Sequence, residues 1–232
     1  MQAVLFSSNP DETVILTSLL QQAGMMVRTI HSLDGLPESL AERPVEFIFL
    51  CLPYGNEKRL GLVTQIRSFT EVPILILTDS LPESRQIAIY EAGADLVVSR
   101  STGMLLLLAQ IKALMRRGSG GVLYNSLPTL SQGDVVLDPG SRSVQVGERA
   151  PQRLTQLEFR LLYVLLTNAG RIHSAESLVE QVWGYNGEGN RELVRGLVQR
   201  LRGKVEKEPR NPKYILTEPG VGYYFVRFLE KA

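Results

Sequence analysis

Five short apolar runs, separated by stretches of helical period, constrain the first half of the chain more than any other feature. They are Ala3 to Phe6, Met26 to Ile30, Phe47 to Leu50, Ile74 to Leu77 and Leu96 to Val98. Each is rich in β-branched residues or leucine and lacks polar alternation, as expected of strands buried on both faces, so the sheet they form should be parallel and wrapped by helices. The intervening segments carry helix punctuation. Asn9-Pro10 places a capping side chain ahead of a proline at the first helical position, and Gly24 stops that helix. Leu81-Pro82 and Gly93 bracket a later one in the same way. Five strands alternating with five helices predict an α/β, flavodoxin-like, doubly wound domain over residues 1–117, with its functional crevice beyond the strand C-termini.

The pattern then breaks. The stretch RRGSGGVLYNSLP, beginning at Arg116, replaces helical period with glycine, serine and proline, and predicts a linker over 118–130. Residues 131–228 form a second unit. Strands around Val135 to Leu137 and Ser143 to Val146 flank the turn Asp138-Pro139-Gly140. Thr155 and Glu158 stand at capping-box spacing ahead of a helix ended by Gly170. Ser174 can cap a second helix, carrying Leu178, Val182 and Trp183 and closed by Gly184, and Asn190 a third. Tyr214 to Leu216 and Tyr223 to Phe225 flank TEPGVG as a hairpin. Sheet, three helices and terminal hairpin describe a winged helix.

Charge becomes informative only when it is divided. Up to Arg117 the chain holds 10 basic and 12 acidic residues, and after it 15 and 12. The excess clusters on the third helix of the second unit, in Arg191, Arg195, Arg200, Arg202 and Lys204. Val194, Val198, Leu201 and Val205 form its apolar stripe, and a helical wheel turns Glu192, Gly196, Gln199, Arg200 and Gly203 away from it, flanked by Arg195 and Arg202. An isolated basic helix face is more often merely solvated. Here the helix follows two capped helices and precedes a glycine hairpin, the position of a helix-turn-helix reader, so arginines are expected on phosphates or guanine edges and Gln199 on base edges.

The segments LTQLEFRLLYVLLTNAGRIHSAESLVEQVWG, VQRLRGKVE and YILTEPGVGYYF resemble the effector domain of OmpR/PhoB-type response regulators over Leu154 to Phe225, and EAGAD at Glu91 to Asp95 resembles part of their receiver domain. The resemblance implies a transcription factor of a two-component system, with a receiver that drives dimerisation on tandem half-sites. It also implies departures. Family receivers place an acidic pair, a nucleophilic aspartate, a hydroxyl and a lysine where this chain has Ser7 with Ser8, Cys51, Thr78 and Arg100. Without those carboxylates Mg²⁺ lacks its oxygen ligands and a phosphoryl group lacks its acceptor, so the expectation is an atypical, phosphorylation-independent receiver. A switch aromatic on the fifth strand is replaced by Val97, and a wing arginine by Pro219 after Glu218. At the dimer face, Leu96, Leu106 and Gln110 stand where Asp, Glu and Arg are usual, with Ile89 on the preceding helix, which implies a homodimer held by apolar burial.

Other classes fit poorly. The longest apolar stretch, Met104 to Met115, is interrupted by Gln110 and Lys112, too short to span a bilayer. One cysteine excludes a disulfide framework, and with no secretory signal the expected location is the cytoplasm. Cys51 reads as a small buried hydrophobe in preference to a redox sensor. His31 and His173 fit no metal pattern and are expected in loops or at the surface. No Walker loop, GxGxxG or nucleophile–base motif appears, so neither enzymatic activity nor a cofactor is expected. The expected partners are double-stranded DNA and a second copy of the chain, with RNA polymerase and a regulatory protein or small ligand at the receiver as further candidates. An adaptor controlled through the altered pocket is the alternative function.

Overall fold

A computed structural model describes residues 1–33, 36, 40, 45–53, 58–116, 127–184 and 191–228. The chain divides into two compact units, Met1–Met115 and Arg116–Ala232. Most of the expected linker, and the expected Asn190 cap, lie outside the described residues.

In the first unit, strands β1 (Gln2–Phe6), β2 (Met26–Ile30), β3 (Phe47–Cys51), β4 (Ile74–Thr78) and β5 (Leu96–Ser99) form a parallel sheet in the order β2-β1-β3-β4-β5. Among the described residues, helices α1 (Pro10–Gln22), α2 (Lys58–Phe69) and α3 (Glu83–Ala92) join successive strands and α4 (Met104–Arg116) follows β5, while most of the stretch of the expected helix between β2 and β3 lies outside the described residues. Asn9 caps α1, its side-chain oxygen accepting from the amides of Asp11 and Glu12. Strands β3 and β4 are buried throughout. The expectation of full burial fails for β2, where Met26 and Thr29 are exposed, because β2 is a sheet edge.

The EAGAD turn has a physical explanation. Arg67 donates to the carbonyls of Gly93, Thr70 and Val72 and pairs at 2.5 Å with Asp95, which is 2% exposed and also accepts from Ile74 N. Gly93 adopts φ +126° directly against this arginine, and a Cβ there would lie 2.8 Å from Arg67 Cβ. Only glycine satisfies both conditions.

The second unit opens with an antiparallel sheet of β6 (Leu130–Gln132), β7 (Val135–Asp138), β8 (Ser143–Val146) and β9 (Gln152–Arg153). Strand β6 begins at Leu130, the residue expected to end the linker. Helices α5 (Gln156–Thr167), α6 (Ala175–Val182) and α7 (Arg191–Val205) follow, with β10 (His173–Ser174) between the first two. The Thr155–Glu158 capping box forms in full and Ser174 caps α6. Strands β11 (Ile215–Glu218) and β12 (Gly222–Phe225) make the wing, joined to β10 in the order β10-β12-β11. Gly222 permits this junction, since a Cβ there would fall 1.9 Å from His173 O. His173 is therefore buried in a strand, not in a loop or at the surface; His31 is exposed as expected.

Candidate nucleic-acid interface and receiver pocket

Helix α7 packs against both α5 and α6, so it buries more than one narrow stripe. Leu193 and Leu197 join Val194, Val198, Leu201 and Val205 in the core. Gly196, expected on the outward face, is buried as well. The polar residues then separate into two groups. Arg191 and Arg195 are exposed, Arg191 pairing loosely with Glu176 at 3.3 Å, and Gln199 is half-exposed beyond them. Arg200, Arg202 and Lys204 are half-buried and turn to neighbouring elements.

Lys204, expected at DNA, donates to Glu158 Oε2 at 2.7 Å and to Arg153 O at 2.8 Å. Burial alone would raise the Glu158 carboxyl, but the Arg200 and Lys204 charges outweigh it and hold that group below the ordinary carboxylate range. Arg200 therefore serves Glu158 too, and its Nε and Nη1 are shielded from solvent. Arg202, also expected at DNA, turns to the wing: Nε and Nη2 donate to Ile215 O at 3.0 and 2.7 Å, and Nη2 donates to Thr217 Oγ1 at 2.9 Å. Sequence periodicity places all these side chains on polar arcs of α7, but it does not show which acceptors the neighbouring elements offer. At the helix C-terminus, Arg149 donates to the Val205 and Glu206 carbonyls, two of the acceptors a helix end leaves open. In the wing turn Pro219 and Gly220 are exposed, and Val221 is 54% exposed.

At the C-terminal end of the parallel sheet the structure assembles Ser7, Cys51, Thr78 and Arg100, while Ser8 faces solvent. Sequence reasoning missed Glu12. From the first turn of α1, its carboxylate accepts from Ser7 Oγ at 2.6 Å and from Arg100 Nε and Nη2 at 2.9 and 3.2 Å. Asp79 adds a looser contact to Arg100 at 3.6 Å. Burial disfavours the Glu12 carboxylate, but the bonds from Arg100 and Ser7 hold its pKa below the ordinary value. Cys51 shares the site, and burial together with the Glu12 charge pushes its thiol far above the ordinary range. Burial and the Glu12 charge thus disfavour the thiolate at Cys51, against the smaller opposing influence of Arg100. Asp11 and Glu12 both lie in the first turn of α1, and the sequence alone gives no reason to choose Glu12 between them.

The expected dimer face is altered in one respect. Leu96 is 2% exposed, because β5 turns it into the domain core, so it cannot line a surface. Ile89 and Gln110 are half-buried, whereas Leu106 is 56% exposed and its neighbours Met104 and Leu105 are 44% and 87% exposed. Among the described residues no group of three or more His, Cys, Asp or Glu side chains could hold a metal ion, and no helix is long and apolar enough to cross a membrane.

A parallel five-stranded receiver sheet followed by a winged helix with a basic outer helix face defines a DNA-binding response-regulator transcription factor. Residues 149–225 match the family described as "Transcriptional regulatory protein, C terminal". The chain is 34% identical over 212 residues to the KDP operon transcriptional regulatory protein KdpE of Escherichia coli strain K12, covering 91% of this chain and 92% of that one. It is 31% identical over 221 residues to the DNA-binding response regulator MtrA of Mycolicibacterium smegmatis, with 95% and 94% covered. A solved structure of a RitR mutant superposes with a TM-score of 0.75 at 20% identity, covering 98% of this chain and 99% of that one. The chain belongs to the OmpR/PhoB-type response regulators.

Proposed function

We propose that this response regulator controls transcription without receiver phosphorylation, as a homodimer and not as an enzyme. The observation that carries the reading is the Glu12–Arg100 pair. The cation at the phosphate-facing position is already bound by a carboxylate of its own chain. Beside it, the acceptor position holds a buried cysteine, and Ser7 and Ser8 stand where metal-binding carboxylates would be needed. Exposed Met104, Leu105 and Leu106 on α4 support association of two receivers through apolar burial. Two linked winged helices would then engage half-sites about one DNA turn apart. The proposed base and phosphate contacts are Arg191, Arg195, Gln199 and the outer edge of Arg200. RNA polymerase, and a regulatory protein or small ligand acting on the receiver, are the further partners proposed.

The test is incubation of the full chain with acetyl phosphate and Mg²⁺, followed by intact-mass measurement and hydroxylamine treatment. No acyl phosphate is expected. Stoichiometric, hydroxylamine-sensitive label on the receiver overturns phosphorylation independence.

A further inference from the structure

The wing strand β11 is the edge of its sheet, and an edge strand presents backbone groups with no ladder partner. Tyr214 O accepts from Val226 N across the wing, so by the alternation of an antiparallel ladder the N–H and C=O of the next residue, Ile215, point off the free edge. Helix α7 and the residue directly after it satisfy both. Glu206 Oε1 accepts from Ile215 N at 2.8 Å and from Tyr214 N at 2.9 Å, while Oε2 accepts from Lys213 N at 2.8 Å. One helical turn earlier, Arg202 donates twice to Ile215 O and once to Thr217 Oγ1. Spacing of four residues places the two charged side chains on one face of α7 and its end, where together they bind both backbone groups of a single wing residue. Glu206 is 3% exposed, so its carboxylate depends on those amides.

We propose that Arg202 is a positioning residue for DNA recognition: with Glu206 it joins the reading helix and the wing into one rigid unit, and it acts on DNA through the pose of the hairpin instead of through a phosphate. Three of its donor contacts, from Nε and Nη2, are already directed at the wing. The planar fork of arginine suits this role, because it serves a carbonyl and a hydroxyl two residues apart, which a single ammonium does not reproduce. Thr217 is the outer end of the connection and lies directly before Glu218 and the wing turn.

The experiment uses the full chain and a duplex enriched by the wild-type protein from a random-sequence pool, with Arg202→Lys, Arg202→Gln and Thr217→Val as variants. Far-UV circular dichroism and Trp183 fluorescence check the fold of each. Both Arg202 variants are expected to bind about tenfold more weakly, the size of one lost specific contact. The salt slope should be unchanged, and hydroxyl-radical protection should fade selectively where the wing lies. Thr217→Val changes no charge and should weaken the same protections to a smaller degree, which keeps the test informative if an Arg202 variant fails to fold. A phosphate contact predicts the opposite. Arg202→Lys would then retain affinity, Arg202→Gln would lower the slope by about 0.9, and Thr217→Val would leave the footprint intact. Any of those three results overturns the proposal.

Discussion

The receiver pocket and the reading helix both contain arginines where a ligand with negative charge is expected, and they use them differently. In the pocket, Arg100 is taken up by Glu12 and Asp79, and at the opposite end of the same sheet Arg67 is enclosed by four backbone and carboxylate acceptors. On α7, Arg191 and Arg195 extend into solvent, while Arg202 and Lys204 turn back to carbonyls and a buried carboxylate. The lesson is that the acceptors around an arginine, more than its place on a motif, decide whether it builds the protein or reads a partner. Desolvating a guanidinium is unfavourable unless its donors are matched, so a matched one resists being drawn away, and an exposed one is available to a phosphate at little cost.

That contrast can be broken most directly on the helix. Replacing Arg191 and Arg195 together with alanine is expected to weaken binding to an enriched duplex by about a hundredfold and to lower the salt slope by about two, since each phosphate contact contributes about 0.9. Fluorescence anisotropy across a salt series measures both. Unchanged binding would mean that the outward arginines are only solvated. Leu106→Asp, which adds a charge to the apolar surface of α4, is expected to convert the receiver-mediated dimer to monomer, read by sedimentation of the full chain at micromolar concentration. A wild-type chain that sediments as a monomer would remove the dimer from the proposal.

Smaller effects sharpen the inward half of the comparison. Glu158 is 2% exposed, closes the capping box and receives Lys204. Glu158→Ala should cost about 3 kcal/mol by leaving those donors unmatched, measured by urea unfolding. In the pocket, Glu12→Gln should cost under about 1 kcal/mol, because the pair is only partly shielded from water. Its pH signature is specific. The folded-state pKa of Glu12 lies below the ordinary 4.5, so its contribution is present above that value and is lost as pH falls through the lower folded-state value. Wild type and Glu12→Gln should therefore differ in stability at neutral pH and converge in strong acid. A difference that persists there would assign the effect to something other than ionisation.

Much of the architecture was legible because local rules and tertiary demands agree. The five apolar runs became strands within one residue at each end, and Asn9, Thr155 and Ser174 cap the helices they precede. Strands β6 and β9 went unseen, since two or three residues are too few to display a period and gain their identity only from β7 and β8. The site was legible by position and less so by direction. Ser7, Cys51, Thr78 and Arg100 do converge, but Glu12 reaches them from an adjacent helix, a contact set by three-dimensional proximity. Likewise Leu96 is buried and Gly196 inward, because a wheel or an alignment assigns a face before the neighbouring elements are known.

Cys51 has one more consequence. It is the only thiol in the sequence and sits, 1% exposed, between β1 and β4 at the end of strand β3. An alkylating reagent can reach it only when the receiver opens, so the rate of its modification times the excursions of that half alone. Followed with and without DNA on the other half, this internal clock reports whether occupancy of the winged helix is felt in the receiver core.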